Sequence, residues 1–382
     1  YDSRNNSALF SETAAAVLSA NGITVYIFDG VRPTPELSFA IRHLGCIAGI
    51  NITASHNPKQ YNGYKAYWED GAQLPPKHAD IISAKIKSID IFDGVKQDNY
   101  AEAVKAGKIR VIGEEVDRVY LENVLAQRVN SDAVKQVADD LTVVYTPLHG
   151  AGYKLVPEAL RASGLKKLYT VPEQMILDGN FPTVVSPNPE NPEGFYLAID
   201  LAKKNDVDFI LGTDPDSDRV GIMVRNKEGK FQPVSGNQTG VLLSDYLYGA
   251  MKRSGKLPKN VCVFSSETLQ RFVFEDLNTE VYGWAFCADT LAVSPLAGKT
   301  ADDNGRLHLV CGHCDMASPI SKYCPVTRED VLKFGAQYNG FSHIHKTPEV
   351  VTEGGVTYSY SGFVEGRGFD ETGEKTVSIV EL

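Results

Sequence analysis

Cysteine is almost missing from the first two thirds of this 382-residue chain: Cys46 is the only one before residue 261. That stretch has no disulfide framework and reads as a protein of a reducing compartment, so a cytoplasmic location is expected. No run of eighteen or more apolar residues occurs, which excludes a membrane-spanning helix. Positive charge is also short. With 38 Lys+Arg against 48 Asp+Glu the net charge is −10, which disfavours a nucleic-acid partner. No G-x-S-x-G elbow is present, so the usual frame for a nucleophilic hydrolase serine is lacking. The opening "YDSRNNSALF" has no secretory signal pattern, and it reads as the loop after a strand with no strand before it. A chain that starts late within its first domain is therefore expected.

What is present is αβ alternation. Residues 8–20 form a helix-prone stretch with Asn5, Asn6 and Ser7 as cap candidates and Gly22 as a stop. "ITVYIF" (23–28) and "CIAGINITA" (46–54) read as strands. Between them "PTPELSFAIRHLG" opens on proline and closes on glycine, as helices do. "YKAYWEDGAQL" (64–74) reads as a strand, an Asp-Gly turn and a return. Two helical stretches occupy 75–130, and a second alternation starts at "LTVVYTP" (141–147). The pattern implies an α/β fold with mainly parallel sheets and a domain boundary near 130–140.

Two short stretches carry chemistry. In "LGTDPDSDRVGI" (211–222) Asp214, Asp216 and Asp218 alternate at the tip of an apolar strand. Carboxylates so close repel unless a cation lies between them, and all-oxygen ligation suits a hard ion such as magnesium. An EF-hand loop is excluded because its required glycine is Arg219 and its closing glutamate is Arg225. Arg219 adds a fixed cation suited to phosphate. In "GINITASHNP" (49–58) a strand delivers Ser55, His56 and Asn57 ahead of Pro58. Adjacent side chains seldom face one another, so a Ser55–His56 pair is not expected. A local Ser/Asn turn is the plain alternative. Both stretches follow strands in αβ units, and such strands gather ligand sites at their carboxyl ends. A serine beside a carboxylate metal site points to phosphoryl transfer through a phosphoserine.

"TASHNPKQYNGYKAYWEDGAQL" and "GTDPDSDR" resemble the phosphoserine and metal loops of the α-D-phosphohexomutase family, in its phosphoglucomutase/phosphopentomutase branch. "YDSRNNS", "PTPELSFAIRHL", "VVYTPLHGAG" and "PENPEG" are similar to the same branch, and the likeness spans about residues 1–260. The resemblance implies tandem αβα domains with mixed, mainly parallel sheets: 1–135 with the phosphoserine loop, 136–258 with the metal loop, and a divergent segment, 259–382, of uncertain fold. It implies that Ser55 carries the phosphoryl group. Asp214, Asp216 and Asp218 would hold Mg2+ with a phosphate oxygen on Ser55. Arg219 would close the metal loop, with His56 and Asn57 lining the catalytic loop. Lys65 matches the general acid/base; lysines do such work where burial or nearby cations favour the neutral amine. Arg4 resembles a phosphate-binding arginine at the edge of the site. His149 is read as structural, bonding its own Gly-rich turn.

The implied reaction moves a phosphoryl group between the 1- and 6-positions of glucose phosphate, with glucose 1,6-bisphosphate as intermediate and activator and sugar phosphates as the only partners. A phosphopentomutase, an inactive magnesium-binding fragment and a magnesium-dependent phosphatase are the alternatives. The family's G-E-E-S sugar loop and R-x-S-G-T-E-P phosphate loop do not occur. From residue 261 onward lie −8 of the −10 charges and five of the six cysteines. "HLVCGHCDM" (308–316) has a Cys-x-x-Cys with His308 and His313 near it. Cys324, His343 and His345 are irregularly spaced as further zinc ligands, and reduced thiols are expected instead.

Overall fold

The computed structural model describes residues 1–258, 261–344 and 350–360. It divides into two units, Tyr1–Lys256 and Leu257–Leu382. Among the described residues no helix is long and apolar enough to cross a membrane.

The first unit opens with helix α1 (Ser7–Ala20), strand β1 (Val25–Phe28), α2 (Thr34–His43), β2 (Ala48–Ile52) and β3 (Tyr64–Trp68). Asn6 stands at the N-cap of α1 in a left-handed conformation, but its side chain makes no cap bond. Helix α2 starts as its prolines dictate: Pro33 precedes it and Pro35 fills a first-turn position where an amide N–H has no intrahelical partner. The strands of this half form two separate pairs. β2 pairs antiparallel with β3, placing Asn51 opposite Lys65, while β1 pairs parallel with β4 (Ile109–Ile112). α3 (Pro76–Lys87) lies between β3 and β4, as does α4 (Tyr100–Lys105), a helix the sequence pattern did not reveal. α5 (Glu114–Ala126) and α6 (Ser131–Val137) follow.

The second half of this unit is a five-stranded sheet in the order β6-β5-β7-β8-β9. β5 (Thr142–Thr146), β6 (Lys167–Thr170) and β7 (Phe209–Thr213) are parallel; β8 (Val220–Arg225) and β9 (Phe231–Val234) add antiparallel strands. β5 is an interior strand, buried at every position, which accounts for its continuous apolar run. Helices α7 (Leu155–Ala162) and α8 (Tyr196–Lys204) complete the crossovers. Ala198 and Ala202 of α8 pack with Phe195, Val144, Ile210 and Met223 in the core. Each large side chain so buried contributes about 1.5–3 kcal/mol. α9 (Gly236–Arg253) begins with a Ser235/Gln238 capping box.

The second unit, left without a fold by its sequence, is a six-stranded mixed sheet in the order β10-β11-β12-β13-β15-β14. β11 (Thr279–Gly283), β12 (Leu307–His313), β13 (Tyr338–Ser342) and β15 (Val356–Tyr360) run parallel; β10 (Gln270–Phe274) and β14 (Val351–Glu353) form antiparallel edges. One helix, α10 (Arg328–Phe334), crosses between β12 and β13. Trp284, Leu296, Val310, Phe334 and Phe341 form the core together with Cys314 and Cys324, both fully buried. All six cysteines are free thiols.

Candidate active site

The loop after β2 is built from the backbone outward. The Ser55 N–H donates to Thr53 Oγ1 at 2.8 Å, and Thr53 Oγ1 donates to the buried Asp2 carboxylate at 2.6 Å. The local Ser/Thr turn therefore belongs to Thr53 and leaves the Ser55 hydroxyl free of the backbone. Ser55 has φ of 51°, a left-handed conformation rare outside glycine. That twist brings consecutive side chains together, so Ser55 Oγ lies 3.2 Å from His56 Nδ1, against the expectation from adjacency. The hydroxyl proton is nevertheless committed elsewhere: Ser55 Oγ donates to Asp214 Oδ2 at 2.8 Å, across 159 residues of sequence. Burial first, and the Arg219 guanidinium second, lower the pKa of His56 and favour the neutral ring.

Arg4, expected at the edge of the site, is engaged with the backbone of the serine loop. Its side chain is fully buried, and its guanidinium donates to the carbonyls of Ser55 (2.6 Å), Pro58 (3.0 Å), Tyr61 (2.9 Å) and Asn57, while Nε lies 3.2 Å from Asp2. A planar, five-donor group suits this clamp on four carbonyls, and it fixes the shape of the loop. The Asn57 side chain is exposed.

The acidic loop follows β7. Asp214 and Asp216 are fully buried and Asp218 is exposed. Their nearest oxygens all lie within 4.8 Å of one another, and among the described residues no other group of three or more His, Cys, Asp or Glu converges this way. The Asp218 and Arg219 amides donate to Asp214 Oδ1 at 3.2 and 3.1 Å. Burial, then the charges of Asp216 and Asp218, push Asp214 up to about 8. Burial also acts on Asp216, but the Lys65 ammonium and hydrogen bonds from Lys65 and Thr34 outweigh it and hold that carboxyl below its ordinary value. Lys65 Nζ is 3.1 Å from Asp216 Oδ2 and 3.9 Å from Asp218. Arg219 is exposed beside the loop.

Two features test the fit of a hard divalent cation. Asp216 Oδ1 is buried with no hydrogen-bond partner among the described residues, so an oxygen lone pair is held ready at a cost of about 1–3 kcal/mol. The upward push on Asp214 marks a cluster short of positive charge. Both agree with an oxygen-ligated Mg2+-type ion.

Several residues that hold the site escaped the sequence reading. Thr34, at the start of α2, donates to Asp216 Oδ2 at 3.0 Å and receives Asn51 Nδ2 at 2.7 Å. Its backbone N–H donates to the Asp216 carbonyl at 2.8 Å. Asn51 was the available signal, since asparagine is depleted inside strands unless it has work to do. Gly150 and Gly152 seat the acidic loop. A Cβ on Gly150 would meet Pro215 Cα at 2.4 Å, and one on Gly152 would meet the Tyr145 hydroxyl at 2.3 Å. His149 is structural but does not bond its own turn: Nδ1 pairs with the Ile176 carbonyl and Nε2 with the Thr183 hydroxyl, both at 2.8 Å.

The zinc arrangement of cysteines does not assemble among the described residues. Cys314 and Cys324 are in the core, Cys311 is exposed and His308 bonds Asn304, while His345 lies outside the described residues.

Comparison with known proteins places these loops in context. The chain is 36% identical over 329 residues to a phosphoglucomutase of Staphylococcus saprophyticus, covering 84% of this chain and 58% of the relative. It is 38% identical over 262 residues to a phosphoglucomutase of Staphylococcus epidermidis, covering 68% and 46%. The chain thus spans about half the length of the curated relatives it matches. A crystal structure from Thermus thermophilus, assigned as a phosphomannomutase, superposes with a TM-score of 0.53 at 25% identity, over 65% of this chain and 52% of that one. Residues 1–91 match the family model for phosphoglucomutase/phosphomannomutase α/β/α domain I, and residues 118–229 match domain II. The serine loop lies in the first match and the acidic loop in the second, and on this evidence the chain belongs to the phosphoglucomutase/phosphomannomutase family.

Proposed function

We propose that this chain carries the phosphoryl-transfer centre of a phosphosugar mutase that interconverts glucose 1-phosphate and glucose 6-phosphate. The observation that carries the reading is the Ser55 hydroxyl bonded at 2.8 Å to the buried acid of a three-carboxylate cluster. Ser55 bears the phosphoryl group in the resting enzyme. Its P–O bond breaks as a new one forms to the free hydroxyl of the sugar monophosphate, and glucose 1,6-bisphosphate results. After the sugar turns over, its other phosphate returns to Ser55. Lys65 exchanges the proton of the sugar hydroxyl, being only partly buried and anchored on Asp216. His56 and Arg219 line the serine, and Arg219 offers a guanidinium to the phosphoryl oxygens. Asp214, Asp216 and Asp218 would hold Mg2+ together with the Ser55 phosphate, supplying positive charge to the group in transfer. We place the boundary between the serine-loop and acidic-loop domains near residue 135.

The test is conversion of glucose 1-phosphate to glucose 6-phosphate with Mg2+ and catalytic glucose 1,6-bisphosphate, by the chain and by its Ser55→Ala variant. Turnover lost on substitution supports the reading; equal product from both discards the phosphoserine. Because the chain spans about half its relatives' length, a second outcome has its own meaning. Labelling of Ser55 by the bisphosphate without turnover assigns the chain as a phosphoryl-accepting part of the enzyme. Release of inorganic phosphate assigns a phosphatase.

A further inference from the structure

We infer that His313 and His343 form a second metal site in this protein, a two-histidine site for a borderline transition ion of the zinc class. It lies wholly within the second unit. β12 ends at His313, which stands in register with Ser342 at the end of β13, and His343 follows directly. Both histidines therefore leave the carboxyl ends of two adjacent parallel strands, where αβ sheets gather their ligands.

The geometry is that of a ligand pair. His343 Nδ1 and His313 Nε2 face each other at 3.2 Å. Two imidazoles bound to one tetrahedral zinc at about 2.0–2.1 Å have their nitrogens about 3.3 Å apart. One outer nitrogen is tied as that of a ligating histidine is, and the other has a carboxylate nearby. His313 Nδ1 is 2.8 Å from Ser342 Oγ, and His343 Nε2 is 3.9 Å from Asp315 Oδ2. Oxygens at those positions can accept the outer protons and so accommodate the tautomers in which the inner nitrogens serve as ligands. At that separation the two inner nitrogens either share a proton, one ring donating to the other, or turn both lone pairs to a metal ion that replaces it. Phe286 stands edge-on to His313 at 5.5 Å, and Tyr323 lies against His343 at 5.6 Å, so both rings are held in place. His343 has φ of 128°, a conformation unfavourable for a side-chain-bearing residue. His313 is exposed, so an ion reaches it from solution. Imidazole selects zinc, nickel or copper over magnesium, so this site and the carboxylate cluster of the first unit divide the metals by ligand type.

The test is a Zn2+ titration of the full chain in excess Mg2+ by calorimetry, with Co2+ absorption as a second probe and melting curves to verify folding. The expected result is one zinc equivalent that Mg2+ does not displace. His313→Ala and His343→Ala each abolish it, Ser342→Ala weakens it about tenfold, and Asp216→Asn leaves it intact. In the unsubstituted chain zinc also shields His313 and His343 from carbethoxylation while His43 still reacts, a readout independent of any variant. Absence of a magnesium-resistant equivalent overturns the inference. So does an equivalent that survives both histidine substitutions, or one lost in Asp216→Asn.

Discussion

Replacing Glu36 with glutamine is expected to remove a pH-dependent weakness from the first unit. Glu36 lies in the first turn of α2, is 0% exposed, and neither carboxylate oxygen has a donor among the described residues. The cations nearby serve Asp117 instead. Arg32 donates to Asp117 at 2.6 and 3.0 Å and Lys154 donates at 2.7 Å, whereas Arg32 Nε stays 3.8 Å from Glu36. Two carboxyls so placed bond only by sharing a proton. Burial, then the hydrogen bond with Asp117 and its charge, push Glu36 up to about 8 from an ordinary 4.5. Between those values the folded chain keeps a proton that the unfolded chain releases. Stability is therefore full below pH 4.5, falls as pH rises, and levels off above about 8. At about 1.4 kcal/mol per tenfold change in proton affinity the whole gap is worth about 5 kcal/mol. Relaxation around the charged pair halves this to about 2–3 kcal/mol, or about 5–10 °C in Tm for a unit of this size. Glutamine keeps the shape, donates to Asp117 and does not titrate. Melting of wild type and Glu36→Gln at pH 5.5, 7 and 9 in saturating Mg2+ measures the effect. The variant's advantage must grow toward pH 9; an advantage constant with pH, or one that shrinks, refutes the shared proton.

Thr34→Val keeps the volume of the side chain but removes the donor to Asp216 and the acceptor of Asn51. Metal affinity at the acidic loop is expected to fall about 10–100-fold, read by Mn2+ titration, and an unchanged affinity would show that Thr34 does not hold Asp216. Gly150→Ala drives a Cβ into backbone atoms of Pro215 at 2.4 and 2.7 Å and is expected to cost about 1–3 kcal/mol. Gly240→Ala, in the interior of α9 with nothing within 4 Å, is expected to gain about 0.5–1 kcal/mol. Thermal melting separates the two, and a stabilised Gly150→Ala would refute the tight seating of the acidic loop.

The residues we propose for chemistry in the first unit were legible because they sit in short contiguous stretches at strand ends. Ser55 and the three aspartates announce themselves by residue type, and their strands by apolar runs. What joins them was not legible. Thr34 reaches Asp216 across 182 residues, and a threonine between two prolines reads only as the start of a helix. Arg4 shows the complementary limit: an arginine near a phosphate loop suggests a phosphate partner, while its partners in this structure are backbone carbonyls that no side-chain pattern encodes. β4 escaped because four residues, Ile109–Ile112, are too few to show a period.

The second unit hid its fold for a different reason. β12, "LHLVCGH", and β13, "YNGFS", put His, Asn, Gly and Ser where parallel strands usually carry Val and Ile. Asn339 is fully buried and its amide nitrogen donates to the carbonyls of Ala336 and Thr357, a requirement visible only once the strands are paired. The crossover helix α10 did carry a signal, the Thr327/Asp330 capping box of "TRED". The same polar substitutions that blurred the strands leave His313, Ser342 and His343 at their ends, so the loss of strand character and the gain of a ligand-bearing edge are one feature of this sheet. A strand rich in Val and Ile would have been easier to read and would have had nothing to offer a metal ion.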